Sequence, residues 1–438
     1  VERIAVVTSH QPTVAAGARH VSHLTRLGWG LAIPVLLLVS IGVSSIHATD
    51  RTIANGASGA TQGPAATSWV QRAYQHIGPQ TARQLLFGVS GVLLLGACLL
   101  PSYRRIGRFA YPLYAIILVL LGLLVLDRYV DIPIVPLIRK TRRWIDLGIL
   151  RIQPSEFMKV ALILVLARYL RFRDSYRTWR GLIPPFLFTL VPMILILKQP
   201  DLGTLLMLLP VLFAMLFVAG ARIRHLALVV VAGAATLCGF YALGGIPESS
   251  AWHKLSELGM KPYQRQRIQV LFKQSTSDPR WHLKQGYQLR QGLTALGTGG
   301  ITGAGYRSGK FIRYQLLPEE HNDFVFAIIG HQWGLVGCAL IILAYVVIVI
   351  CGLEVAMMTN DPFGRLLAVG VVVMIVMQAL LNICMNIGLA PITGMPLPFV
   401  SAGGSSLWAN FIALGLMLNV AQRRPMLIAH PPFEHRDD

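Results

Sequence analysis

The chain carries little charge for its size. Of its 438 residues, 13% are Asp, Glu, Lys or Arg, about half of the roughly 25% usual in soluble domains. Hydrophobic residues make up 54%, and the mean hydropathy is +0.58. This combination excludes an ordinary soluble globular protein, and it excludes disorder, which needs low hydrophobicity. Negative charge is scarcest: 19 Asp and Glu stand against 39 Lys and Arg, a formal net charge of +20. A basic surplus draws nucleic acid or anionic lipid. At this hydropathy membrane lipids are the expected partner, and no nucleic-acid recognition module is present. Cysteine is rare as well. Cys98, Cys238, Cys338, Cys351 and Cys384 all lie in apolar stretches without CxxC spacing, which argues against a disulfide framework or a zinc site.

What is abundant is long apolar sequence. A spanning helix needs roughly 20 apolar residues to cross a hydrocarbon core about 30 Å thick. Ten segments qualify as candidates: 27–48, 84–100, 109–126, 157–170, 181–197, 202–220, 226–245, 324–353, and two more inside a 57-residue stretch, 366–422, that contains no Asp, Glu, Lys or Arg. As one helix that stretch would run about 85 Å. It must break, and Gly388-Leu-Ala-Pro-Ile-Thr-Gly-Met-Pro-Leu-Pro398 followed by Gly403-Gly404 is where Pro and Gly break it. The expectation is an all-α polytopic membrane protein of about ten transmembrane helices.

The expected organisation has one membrane domain, 27–422, between cytoplasmic tails 1–26 and 423–438. A Gly/Ala/Ser/Thr-rich outer loop occupies 49–83. A long basic extracytoplasmic loop, 246–322, joins helices seven and eight. The polar start of the chain lacks a small-residue cleavage site behind a short apolar core, so the first apolar segment reads as a retained helix. Short-loop Lys and Arg set orientation. The side holding the termini collects 17 of them, against 11 on the other side once the long loop is set apart, so both termini are expected to be cytoplasmic.

The outer side nevertheless carries two dense basic clusters. One is Arg139, Lys140, Arg142 and Arg143, leading to Arg151 and Lys159; the other lies in the long loop and includes Arg265 and Arg267. They read either as solvated faces near anionic headgroups or as a site for a phosphate or pyrophosphate, whose oxygens suit the guanidinium fork. The Gly-rich run Gly297–Lys310 is not a phosphate loop: a P-loop would need Gly and Ser or Thr where this chain has Ala304 and Phe311. It reads as a tight loop packed at the membrane surface.

Acidic residues beside the apolar segments are few, and an intramembrane carboxylate costs enough that it usually faces a cavity or a partner. Glu156, in Gln153-Pro-Ser-Glu-Phe-Met-Lys159, opens helix four and can pair with Lys159 at i+3. It reads as a cap with an ion pair or as part of a site. Asp201, in Gln199-Pro-Asp-Leu-Gly-Thr204, reads as the N-cap of helix six or as a site residue. Asp323 stands where the basic loop re-enters the membrane. An N-cap is one reading. The other is catalytic, since a partly desolvated carboxylate holds protons more tightly and can act as a general base.

Taken together, six segments in order resemble the SEDS family (shape, elongation, division and sporulation), the RodA and FtsW membrane proteins. They are Arg143-Trp-Ile-Asp-Leu-Gly148, Arg151-Ile-Gln-Pro-Ser-Glu156 with Lys159, Gln199–Thr204, Tyr263-Gln-Arg-Gln-Arg267, Leu317-Pro-Glu-Glu-His-Asn-Asp323, and Pro396-Leu-Pro-Phe-Val-Ser401 with Gly403-Gly-Ser405. Tyr263–Arg267 and Gln199–Thr204 look more like the RodA branch.

The resemblance implies a ten-helix inverting glycosyltransferase that polymerises lipid II into peptidoglycan and releases undecaprenyl pyrophosphate, with a class B penicillin-binding protein as partner. On this reading Asp323 is the catalytic base. Arg143, Trp144, Arg151, Gln153, Glu156, Lys159, Asp201, Arg265, Arg267 and Ser401 are the substrate-binding candidates. No cofactor is evident, though a divalent cation could accompany the pyrophosphate. The alternatives are a lipid II flippase, an FtsW-like division polymerase and a scaffold for the penicillin-binding protein. Two departures stand out: Gly330-His-Gln-Trp-Gly334 where relatives usually carry two acidic residues, and Ala402 where they often carry Tyr.

Overall fold

The structure is a computed structural model, and it describes residues 13–50, 77–127, 129–137, 141–148, 150–173, 177–243, 265, 267–270, 286–313 and 322–423. Residues 1–12 and 424–438 of the expected tails, most of the 49–83 loop and much of the 246–322 loop, with Arg139, Lys140 and most of Tyr263–Arg267, lie outside those residues; 13–26, expected as tail, are helical and run straight into the first apolar segment.

All ten expected helices form. They are α1 (Thr13–Thr49), α2 (Pro79–Leu99), α4 (Ala110–Leu126), α5 (Pro154–Leu170), α6 (Trp179–Lys198), α7 (Leu202–Ala219), α8 (Ile223–Leu243), α11 (Val325–Met357), α12 (Pro362–Asn386) and α13 (Gly404–Gln422). Eight are long and apolar enough to cross a membrane, and α4 is a shorter apolar helix. The chain is an all-α polytopic membrane protein. Three short helices are α3 (Tyr103–Arg108), α9 (Tyr287–Gly299) and α10 (Lys310–Arg313), and the described residues 267–270 are helical as well.

Local chemistry sets many of the boundaries. Proline opens α2, α5 and α12, where its missing N–H costs no hydrogen bond. Side chains of Ser102, Thr178, Asp201 and Asp361 accept from the first turns of α3, α6, α7 and α12, as N-caps do. Helix α2 starts at Pro79, five residues before the expected 84. The cause lies across the loop: the Asp50 carboxylate, 1% exposed, accepts from the backbone N–H groups of Gln80 (3.0 Å) and Thr81 (3.4 Å). This ties the two ends of the loop together.

The long loop is not wholly irregular, because it contains α9 and α10. Helix α9 packs against α11. Helix α11 is not one continuous rod either. At Gly334 the backbone turns to φ 63°, ψ −155°, a conformation reserved for glycine. The run after α9 fills that break. Ala304 and Gly305 donate to the carbonyls of His331 (2.8 Å) and Gln332 (3.1 Å), while Leu335 and Val336 donate to those of Gly300 (2.9 Å) and Ile301 (3.2 Å). The glycine-rich run is thus a backbone splint that supplies the bonds a broken helix loses. A Cβ at Gly334 would run into the Ile301 carbonyl.

The main hydrophobic core draws on nearly every helix, and α5 lies at its centre, packed against α4, α6, α7, α12 and α13. The only described sheet is a two-stranded hairpin before α5, β1 (Ile145–Asp146) with β2 (Arg151–Ile152), antiparallel with Asp146 opposite Arg151. At the opposite end of α2, Asn419 of α13 donates to the carbonyls of Cys98 and Pro101 (2.6 Å each) and accepts from Tyr103 N–H.

Candidate active site

The segment between α12 and α13, residues 387–403, organises the site. Its backbone has no helix to satisfy it, so side chains from around the bundle do so. Arg267 donates to the carbonyls of Ile392 (3.0 Å) and Thr393 (3.4 Å). Asn382 donates to Met395 (2.6 Å), Gln378 to Pro396 (2.9 Å) and Tyr345 to Pro398 (2.6 Å). Ser401, 4% exposed, accepts from Leu397 N–H (2.8 Å) and donates to the Asn322 carbonyl (2.6 Å).

Asp323 stands against this segment, just ahead of α11 and half-buried. Its own carbonyl accepts from Asn382 (3.0 Å) and Asn386 (3.1 Å). A Cβ on Gly394 would sit 3.4 Å from its carboxylate oxygen. Asp323, Arg267 and Ser401 therefore meet on one loop, although 56 and 78 residues of sequence separate them from one to the next.

Two buried polar clusters adjoin the loop. In the first, Lys159 (1% exposed) donates to Glu156 (4% exposed) at 2.8 Å and to Gln378 at 3.2 Å. Gln378 passes the chain to Pro396 and to the Ser406 hydroxyl at 3.3 Å. In the second, the Asp201 carboxylate accepts from Gln153 (3.1 Å), Ser155 (3.2 Å) and the Thr204 hydroxyl (3.0 Å), and also caps α7. Gln153 N–H donates to Ser405 (3.1 Å). Asp201 thus caps α7, as one of its expected readings had it, and ties α5 to α7.

The arginines are engaged with the protein. Arg143 donates to the carbonyls of Gln199 (2.7 Å) and Pro200. Arg142 pairs with Asp127 (2.6 Å) and Asp131 (2.9 Å). Arg151 pairs with Asp146 at 3.0 Å on the hairpin. That bond, and then the Gly148 backbone N–H, hold the Asp146 carboxyl below its ordinary value. The Arg265 guanidinium lies 4.9 Å from the Tyr241 ring centroid. Trp144 is half-buried beside the hairpin. These cations are therefore structural ties as well as charge. Among the described residues no three His, Cys, Asp or Glu side chains gather as a metal cage.

Residues 65–425 match the family of FtsW, RodA and SpoVE, described as cell cycle protein. The chain belongs to the FtsW/RodA/SpoVE family. It is similar to the peptidoglycan glycosyltransferase RodA of Treponema pallidum, 31% identical over 78% of this chain and 89% of that protein. It is also similar to stage V sporulation protein E of Bacillus subtilis, 33% identical over 90% of this chain and 96% of that protein. Among solved structures it resembles a chain from work on the structural coordination of polymerization and crosslinking by a peptidoglycan synthase complex. There the TM-score is 0.65 at 29% identity, covering 91% of this chain and 98% of that one. The SEDS resemblance is this family, and the glycosyltransferase activity it implies is the one its relatives' names carry. A family member with these helices is a multi-pass protein of the bacterial membrane.

Sequence reading passed over several residues of this FtsW/RodA/SpoVE site. Gln378, Asn382 and Asn386 are each 0% exposed and stand at i, i+4 and i+8 on one face of α12. That periodic polar stripe inside an uncharged stretch was a signal available in the sequence. Ser155 and Ser405 lie inside two of the six segments that carry the resemblance, while Ser406 gave no comparable signal. His331, at the first departure from the family pattern, holds Thr298 at 3.0 Å and meets the Phe311 ring edge-on.

Proposed function

We propose that this peptidoglycan glycosyltransferase polymerises lipid II with Asp323 as general base. The Asp323 carboxylate takes the proton of the attacking GlcNAc 4-hydroxyl as the new glycosidic C–O bond forms. The bond from the donor sugar's anomeric carbon to pyrophosphate breaks with inversion, and undecaprenyl pyrophosphate departs with the bonding electrons. One base suffices, because the leaving group departs ionised and needs positive charge more than a proton. The observation that carries this reading is the convergence of Asp323 and Arg267 on the 392–394 segment.

In this reading Arg265, Arg267, Arg143 and Arg151 supply positive charge, and Trp144, Gln153 and Ser401 shape the acceptor side. Glu156, Lys159 and Asp201 hold the floor of the site. The site faces outward, both tails are cytoplasmic, and residues 27–422 form the membrane domain. The role is cell elongation, with a class B penicillin-binding protein cross-linking the strands.

The test is purified protein with labelled lipid II, with and without that transpeptidase. Asp323→Asn should bind lipid II while losing at least about 100-fold in polymerisation, the lower end of what a positioned base supplies. Full polymerisation by Asp323→Asn would sink the assignment. Transbilayer movement of lipid II without polymerisation by the wild type would favour the flippase.

A further inference from the structure

Asp323 precedes α11, and a residue at such a junction has freedom that a catalytic base cannot use. Two side chains remove it. Asn382 and Asn386, one turn apart on α12, each donate an amide N–H to the same Asp323 carbonyl, at 3.0 and 3.1 Å. Both are 0% exposed. Asn386 has two further duties: its amide oxygen accepts from Ala327 N–H (3.2 Å), an otherwise unsatisfied donor in the first turn of α11, and its amide nitrogen also reaches the Asn382 carbonyl (2.8 Å). Asn382 in turn donates to Met395 (2.6 Å), the residue after Gly394, whose Cα faces the Asp323 carboxylate. One pair of amides therefore fixes the base's main chain, the start of its helix and the loop opposite its carboxylate.

We infer that Asn382 and Asn386 are positioning residues for Asp323, an amide clamp that sets the base's distance and angle to the acceptor hydroxyl. The inference rests on Asp323 being the base. Neither asparagine faces the reacting atoms: their donors end on backbone carbonyls and, for Asn386, also on the Asn382 side-chain oxygen, so they act through Asp323 and the loop. Misplacing a catalytic group by about 1 Å can cost on the order of 100-fold in rate, while substrate affinity, set elsewhere on the surface, stays.

The test is steady-state polymerisation of labelled lipid II by the full-length protein with its transpeptidase, for wild type, Asn382→Ala, Asn386→Ala and Asp323→Asn, with lipid II binding and melting temperature measured for each. The clamp predicts that Asn382→Ala lowers kcat by about 10- to 100-fold. KM and Kd for lipid II should change less than about twofold, the signature of an interaction needed only for the chemical step. Asn386→Ala should show the same split. Unchanged kcat in a folded Asn382→Ala would overturn the inference, as would a KM that rises while kcat holds. If Asn382→Ala does not fold, the nearly isosteric Asn382→Asp replaces it. Failure of both to fold, even in detergent with bound lipid II, would overturn the positioning role in favour of a purely structural one. Asp323→Asn separates the two layers. If it polymerises at full rate, the base assignment fails. If it is inactive while Asn382→Ala runs at wild-type kcat, only the clamp fails.

Discussion

Helix α5 hides 14 of its 17 residues, whereas α8 hides one of 21, Leu226. Both are apolar, yet length and composition favour the exposed one: α8, with 21 residues, qualifies as a membrane span and α5, with 17, does not. The difference lies in polar content. Lipid tails are as apolar as a protein core, so Leu and Val gain little by facing another helix. Polar groups gain a great deal, because lipid offers them no partner. Helix α5 carries Ser155, Glu156 and Lys159, each bonded to another side chain, and it is drawn to the centre. Helix α8 carries its charge at its start, with exposed Arg224 beside His225, which packs on Trp179. It leaves Leu228, Val230 and Val231 outward at 52–68% exposure. An open apolar groove of about 170 Å³ lies between α6 and α8, lined by Trp179, Leu182, Ile183, Phe186 and Val229.

This contrast can be broken most directly at Lys159. Lys159→Met leaves Glu156 buried without its ion-pair partner, and should cost about 3–5 kcal/mol. The double variant with Glu156→Gln should recover much of that. Thermal unfolding in detergent measures both, and a single variant as stable as wild type would refute the central role given to α5. A step down in size is a paired truncation. Leu162→Ala, at 0% exposure, should cost about 2–5 kcal/mol, and Leu228→Ala on α8, at 58% exposure, within about 0.5 kcal/mol. Equal losses would mean that α8 is packed as tightly as α5.

The smallest effect lies at the hairpin that feeds α5. The Asp146 carboxyl is held low chiefly by Arg151 and then by Gly148 N–H. A depressed folded value stabilises above the unfolded value, and that contribution fades as pH falls through the folded one. Arg151→Gln should therefore raise the Asp146 titration midpoint toward the ordinary Asp value in a carboxyl NMR titration. An unmoved midpoint would show that the pair contributes nothing.

Much of this was legible beforehand. The ten helices followed from apolar length, and the break in 366–422 followed from its Pro and Gly. The i, i+3 spacing of Glu156 and Lys159 anticipated their bond, and the position of Asp201 anticipated its cap. The kink at Gly334 did not follow, since one glycine in an apolar helix is usually tolerated. Its cause is a backbone splint from 300–305, which no local pattern announces. The density of Arg and Lys on one side read as a field for an anionic group. The structure adds that Arg142, Arg143, Arg151 and Arg267 each spend donors on carbonyls or carboxylates of the chain itself. Charge counts cannot see such ties, because carbonyls are not counted.

The scarcity of charge determined the solvent: a chain this apolar has to place its backbone in helices wherever lipid surrounds it. The sequence by itself therefore determined that this is a helical membrane protein, where its ten long apolar helices fall to within several residues, and, through six ordered segments, its family. Only the tertiary structure decided which helix is central, what braces the 387–403 segment, and that Asn382 and Asn386 meet at the Asp323 carbonyl. Helix length and apolarity are properties of neighbouring residues. The partner of a buried polar atom lies across the fold and is chosen by the packing that removes every alternative.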